Sequence, residues 1–255
     1  MNKKILAFFA HPDDETILSG GIFALLAREG FEIYFLSATR GEGGEVGEPP
    51  ISTQEKLGDL REAEMKCAVE ELGGVRVDFL DYVDPLIGEN DELHAYTEDI
   101  ETLILELKGY IHGLEPYAIF THGSNGEYGH PAHLITHQSC VEAVDRLIIK
   151  KPILYGVSAL FDGHMKPRVA NKDDHADLIV GIESVFENKY KAAMCHKSQN
   201  ALFVRRSSWE AGRQLSVREV LMRTESLHRF SPKLTDAPED EIMNALQPYI
   251  ISPTE

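Results

Sequence analysis

The residues best suited to chemistry stand in two short clusters. The first is Ala10-His11-Pro12-Asp13-Asp14-Glu15, directly after the apolar run Ile5-Leu6-Ala7-Phe8-Phe9. One imidazole and two carboxylates on a tight turn can supply two metal ligands and one free base. On the plainer reading, Asp13 or Asp14 caps the following helix by accepting its backbone N–H groups. The second cluster is Tyr128-Gly129-His130-Pro131-Ala132-His133, after the apolar run Tyr117-Ala118-Ile119-Phe120. A His-x-x-His pair places two imidazoles one helical turn apart, close enough to share a site. Two strand ends carrying His with acidic or His partners match the donor set of a zinc site built from two histidines and one carboxylate.

These clusters need rigid elements behind them. A short apolar run closed by a Pro-containing polar turn reads as a buried strand entering a loop. Ile5–Ala10, Ile33–Ser37, Val75–Leu80, Tyr117–Thr121 and Ile153–Val157 all read so. Helical periodicity covers Ile17–Arg28, where Ile17, Leu18, Ile22, Leu25 and Leu26 share a face, and then Gln54–Leu72, Asp99–Leu114 and Leu134–Ile149. Alternating strand and helix predict a doubly wound, Rossmann-like three-layer αβα sandwich with a mostly parallel sheet. In such sheets, sites lie at the carboxyl ends of the strands, where both clusters fall. No repeat, low-complexity tract or linker divides the chain, so residues 1–255 are expected to form one domain. Its portion from about 158 is less regular. There Phe161–His175 reads as irregular, Asp177–Val180 as a strand, Glu183–Met194 and Ser208–His228 as helices, and the proline-punctuated end as a surface tail. Trp209, the sole tryptophan, is expected to pack.

Composition narrows the function classes. A formal charge of −17 over 255 residues argues against nucleic acid and anionic membrane surfaces, whose binding draws on basic patches. No stretch approaches the roughly 18 apolar residues of a membrane span. Cys67, Cys140 and Cys195 are odd in number, widely separated and outside any Cys-x-x-Cys pair. They suggest neither a disulfide framework nor a thiolate zinc site, and so point to a reducing, cytoplasmic setting. The glycine-rich loop Thr39–Gly47 follows the second strand and lacks the Gly-x-x-x-x-Gly-Lys-Ser/Thr order, which argues against phosphate binding and for a loop over the site. His94, His112 and His122 are isolated, although His122 ends the fourth strand on the rim of the site. His137 lies on the same helix face as His133.

His-Pro-Asp-Asp-Glu after the first strand, with Gly-His-Pro-x-His downstream, resembles the LmbE-like (PIG-L) family of zinc-dependent de-N-acetylases. Carried over by position, the resemblance implies His11, Asp14 and His133 as Zn2+ ligands, and Asp13 as the base that takes a proton from water. It implies His130 as the group that protonates the leaving amine or stabilises the oxyanion, with Tyr128 adding a hydrogen bond. Arg61, in Leu60-Arg61-Glu62-Ala63-Glu64, would hold substrate or organise a carboxylate; the plainer reading is a surface ion pair with Glu64 or Asp59. Glu42, in the glycine-rich loop, is a further substrate-binding candidate. Lys191 to Gln199 resembles the family's C-terminal segment, structural or pocket-lining.

The family usually has His-Pro-Asp-His where this chain has His130-Pro131-Ala132-His133. The missing carboxylate would steady a nearby histidine, and Asp145, Glu127 or Glu42 are candidates to replace it. The implied activity is removal of an acetyl group from an N-acetylated amino sugar or its conjugate, a small-molecule substrate. Two alternatives are a zinc amidase acting on a thiol conjugate and a non-enzymatic nucleotide- or metal-binding module. Monomer and homo-oligomer are both compatible with the sequence.

Overall fold

The computed structural model describes residues 3–148, 150–236 and 240–252. Strands are β1 (Lys4–Phe9), β2 (Glu32–Thr39), β3 (Arg76–Tyr82), β4 (Ala118–Thr121), β5 (Ile153–Val157), β6 (Ala159–Leu160), β7 (Asn171–His175), β8 (Leu178–Gly181) and β9 (Thr224–Ser231). The helices are α1 (Asp14–Arg28), α2 (Leu57–Glu71), α3 (Ile100–Leu114), α4 (Gly126–Gly129), α5 (Pro131–Asp145), α6 (Phe186–Cys195), α7 (Asn200–Ala211), α8 (Val217–Val220) and α9 (Glu241–Leu246).

The main sheet has seven strands in the order β3-β2-β1-β4-β5-β9-β8. The first five run parallel; β9 is antiparallel to both β5 and β8. This is the expected mostly parallel αβα architecture. Alternation along β1 explains its layers: Ile5, Ala7 and Phe9 enter one core with α1, α2 and α6, while Leu6, Phe8 and Ala10 enter the other with α3 and α5. Buried on both faces, β1 must be apolar throughout, and it was visible in the sequence for that reason. β1 lies between β2 and β4, so the strand order reverses beside it. The crevice outside the ends of β1 and β4 is therefore the switch point at which such sheets bind ligands.

Helix α1 breaks at Ser19, whose φ of −152° is not helical. A break frees backbone groups that need partners inside the protein. Glu225 of β9 accepts from Gly21 N (2.9 Å) and Ile22 N (2.7 Å), and Lys189 of α6 donates to Ile17 O (3.1 Å) and to Glu225 (2.6 Å). Both side chains are almost wholly buried. At Gly21 a Cβ would stand 2.5 Å from Ile182, so only glycine lets β8 and its neighbours approach the break.

Four expectations change. Ser208–His228 is not one helix: α7 ends at Ala211, α8 is a single turn, and Thr224–Ser231 is an internal strand. Phe161–His175 contains β7, paired with β6. Cys67 and Cys195 form a disulfide between α2 and α6 across 128 residues, and only Cys140 is a free thiol. The cysteines thus give no argument for a reducing compartment. Trp209 is 80% exposed and does not pack. Ile149, Pro238 and Pro253 lie outside the described residues. Among the described residues, no helix is long and apolar enough to cross a membrane.

Replacing Lys189 with Met strands the Glu225 carboxylate in the core, and removing one partner of a buried pair costs about 3–5 kcal/mol. Urea unfolding of Lys189→Met should show that loss. A midpoint within error of the parent would mean that the break in α1 does not depend on this pair.

Candidate active site

The backbone at the end of β1 is forced into an uncommon turn. Asp13 takes φ 116°, a left-handed conformation seldom occupied by residues with a Cβ. Its N–H donates to Glu15 Oε2 (2.9 Å), and the other Glu15 oxygen meets Thr16 Oγ1 (2.6 Å) and His196 Nε2 (3.1 Å). Arg61, which is 3% exposed, closes the other side. It donates to Pro12 O (2.5 Å), Gly41 O (2.9 Å) and Asp13 Oδ2 (3.2 Å). Arg61 is thus buried and organises the Asp13 carboxylate; the surface pair with Glu64 or Asp59 does not form. Glu64 instead accepts from Ser198. Side-chain capping also fails: neither the Asp13 nor the Asp14 carboxylate accepts from the first turn of α1, and Asp14 Oδ2 accepts from the preceding His11 N (2.9 Å).

The end of β4 carries a second unusual turn. Glu127 has φ 58° and ψ −69°, and its carboxylate is buried. All its acceptor capacity is used: Oε1 receives Gly123 N (3.2 Å) and Asn171 Nδ2 (3.1 Å), and Oε2 receives His122 Nδ1 (2.9 Å) and His133 Nδ1 (2.6 Å). Burial alone would raise the Glu127 pKa, but the two imidazoles hold it far below the usual range.

Three imidazoles, those of His11, His122 and His133, each lie 3.4 Å from an oxygen of Asp14, and that of His130 stacks beside them. His122, His133 and His130 form a stack with ring centroids 3.9 and 4.6 Å apart, and His11 leans on it 5.0 Å from His130 and 5.3 Å from His133. Among the described residues, the two donor groups compact enough for a cation are His11–His130–His133 and Asp14–His122–His133. Hydrogen bonding decides which nitrogen of each ring is free. His122 donates from Nδ1 to Glu127 and receives Ala10 N–H on Nε2 (3.1 Å), so no lone pair remains. His130 Nδ1 receives Ala132 N–H (3.2 Å) as the N-cap of α5, which leaves the ring proton on Nε2. His133 gives its Nδ1 proton to Glu127, so its Nε2 lone pair faces Asp14 Oδ1 at 3.4 Å. His11 gives its Nε2 proton to Asp84 (3.1 Å), so Nδ1 faces Asp14 Oδ2 at 3.4 Å.

His133 belongs to both compact groups, and His11 Nδ1 and His133 Nε2 each stand 3.4 Å from an oxygen of Asp14, each imidazole backed by a carboxylate, as metal-binding histidines commonly are. Two nitrogens and a carboxylate oxygen suit zinc. Burial would lower the His11 pKa, yet Asp84 and Asp14 push it up to about 10. Burial holds the His133 pKa below its ordinary value and that of His130 down to about 3, with His133 and His11 adding to the latter. Burial raises Asp13 to about 7, against the pull of Arg61, which suits a base working near neutrality.

Two cavities meet at this cluster, and Asp13, Asp14, Tyr128, His133 and Leu202 line both. One, of about 330 Å³, is bounded by polar side chains including Arg61, Asp84 and Gln199. The other, of about 200 Å³, has one apolar wall, formed by Ile17, Leu18, Phe203, Val220, Leu221 and Met222, and Lys166 and Arg168 beside it. Tyr128 is 57% exposed and stands edge-on to His130 and His133. Glu42 turns away from the cavities: its Oε2 accepts from Arg40 N (3.2 Å) and Asp84 N (3.0 Å), fixing the loop that carries Asp84.

None of the candidates to replace the missing carboxylate meets His130. Asp145 pairs with Lys151, Glu42 holds the loop, and Glu127 serves His122 and His133. In its place His130 has the Ala132 N–H. Asp84 lies in a loop without periodicity, which gives no sequence signal for its contact with His11, and Glu127 supports His122 and His133, not His130. His137 donates to His122 O (2.9 Å), away from the donor cluster. Within Lys191–Gln199, His196 and Ser198 are structural and Gln199 lines the polar cavity.

The fold is a doubly wound α/β sheet whose switch point carries side chains that could hold a metal ion, and the sequence profile of PIG-L, GlcNAc-PI de-N-acetylase, matches residues 6–144. The chain belongs to that family. It is 33% identical over 157 residues to 1D-myo-inositol 2-acetamido-2-deoxy-alpha-D-glucopyranoside deacetylase of Geodermatophilus obscurus, covering 56% of this chain and 53% of that protein. The same-named protein of Corynebacterium diphtheriae is 29% identical over 223 residues, covering 77% and 76%. The chain thus spans about half the length of the first curated relatives it matches. N,N'-diacetylchitobiose deacetylase from Pyrococcus horikoshii shares the fold with a TM-score of 0.66 at 20% identity, over 89% of this chain and 84% of that one. So does GalB, the 4-carboxy-2-hydroxymuconate hydratase of Pseudomonas putida, with a TM-score of 0.62 at 22% identity, over 91% and 97%. A deacetylase and a hydratase on one fold leave the reaction to be argued from the site.

If Glu127 sets the ring orientation of His133, Glu127→Gln should weaken zinc binding by about 10–100-fold. Competition with a chromophoric chelator measures this. Unchanged affinity would show that His133 keeps its orientation without the carboxylate.

Proposed function

We propose that this protein is a zinc-dependent hydrolase that removes the acetyl group from an N-acetylated amino sugar or its conjugate. The observation that carries the reading is the convergence of His11 Nδ1, Asp14 and His133 Nε2, with Asp13 beside them on the same turn. Family membership and the printed activities of the curated relatives support it. His11, Asp14 and His133 are the ligands we assign. The chemistry a cation supplies there is polarisation of an amide carbonyl and acidification of water.

The chain's own groups do the rest. Asp13, held by Arg61, takes a proton from the attacking water. Tyr128 O–H and the neutral His130 Nε2–H donate to the oxyanion that develops on the carbonyl oxygen. A histidine kept neutral at a helix N-terminus, its ring proton aimed at substrate, is an established electrophile. Because His130 has no proton to spare near neutrality, Asp13 is the group that passes the proton to the leaving amine. Ala132 fits this division: the position has to supply only a backbone N–H.

Asp13→Asn should retain zinc while kcat on an N-acetylglucosaminyl conjugate falls by roughly 10²–10⁴. Asp14→Ala should lose the metal itself. Metal content and acetate release, measured with and without chelator, separate the two. Turnover that survives complete chelation would overturn the proposal.

A further inference from the structure

The aliphatic cavity has no role in the mechanism above. It is walled by Ile17 and Leu18 of α1, Phe203 of α7, Val220 of α8, and Leu221 and Met222 just beyond. Leu18, Val220, Leu221 and Met222 are each no more than 7% exposed. Beyond the site residues Asp13, Asp14, Glu127, Tyr128 and His133, its polar wall residues are Lys166 and Arg168.

An amide bond has two substituents, and two cavities open from the residues that would cleave it. Hydroxyl groups set against the wall formed by Leu18, Val220, Leu221 and Met222 would lose water without gaining partners there. Arg61, Asp84, Asp91, His94 and Gln199 line the other cavity and offer polar atoms to a sugar. The sugar therefore belongs in the polar cavity and the acyl substituent in the aliphatic one. The aliphatic space is about 200 Å³. A water molecule needs roughly 10–15 Å³ of such space, so the methyl of an acetyl group would leave most of it unfilled.

Resting on the hydrolase reading above, we propose that the aliphatic cavity is an acyl-chain subsite and that the preferred substrates carry an unbranched acyl group longer than acetyl. Each methylene buried there is worth about fourfold in kcat/KM.

The test uses the metal-loaded full chain and a series of N-acetyl-, N-butyryl- and N-hexanoylglucosamine. We expect kcat/KM to rise along the series by about tenfold or more. Val220→Trp, which fills the cavity, should lower the hexanoyl-to-acetyl ratio toward or below one. Binding of hexanoate and acetate by calorimetry reads the subsite without turnover, and hexanoate should bind at least about tenfold tighter. A flat or falling series, with acetate bound as well as hexanoate, would overturn the acyl-chain subsite and leave the deacetylase reading intact. Tight hexanoate binding without hydrolysis of any member would support the subsite and overturn the reaction.

Discussion

A single buried carboxylate determines what the site can bind. Glu127 accepts the Nδ1 protons of His122 and His133 together, and so turns both Nε2 atoms toward Asp14. The two rings then diverge in use, because Ala10 N–H occupies His122 Nε2 and leaves His133 Nε2 open. Asp84 does for His11 what Glu127 does for His133. Hydrogen bonding around the rim thus chooses two nitrogens from four imidazoles, although nearness alone would allow other sets.

Both strand ends that supply these groups hold residues in backbone conformations that side chains disfavour. Asp13 and Glu127 each have positive φ, and such residues persist only where their surroundings over-determine them. Glu15 and Arg61 fix the first turn; Asn171, whose Oδ1 accepts Glu127 N (2.9 Å) while its Nδ2 donates to Glu127 Oε1, fixes the second. Asn171 comes from β7 and Arg61 from α2, so each turn is held by an element distant in sequence. The strain is local, and with it Asp13 lines the two cavities while Glu127 turns into the histidine stack.

The parallel half of the sheet was legible because double burial leaves one residue class available, and β1 and β4 show it as unbroken apolar runs. The two motifs were legible because chemistry demands particular side chains at the ends of those runs. β9 was not. Its sequence, Thr224-Glu225-Ser226-Leu227-His228-Arg229-Phe230-Ser231, carries two charges that are nearly fully buried. Those charges are neutralised by Lys189 from α6 and Asp240 at the start of α9, and no local pattern announces such partners. The same non-locality hid the Cys67–Cys195 bond and the Asp84–His11 contact. Trp209 departs from expectation for the opposite reason: size and apolarity alone predict packing, whereas surfaces routinely carry some large apolar side chains.

The central claim is that hydrogen bonding selects His11, Asp14 and His133 from a crowded cluster. Anomalous diffraction at the zinc edge, on crystals of the metal-loaded protein, tests it most directly. One ion is expected within about 2.0–2.2 Å of His11 Nδ1, an Asp14 oxygen and His133 Nε2, with His122 still receiving Ala10 N–H and His130 outside bonding distance. An ion bonded to His122 Nε2 or His130 in place of His11 would contradict it.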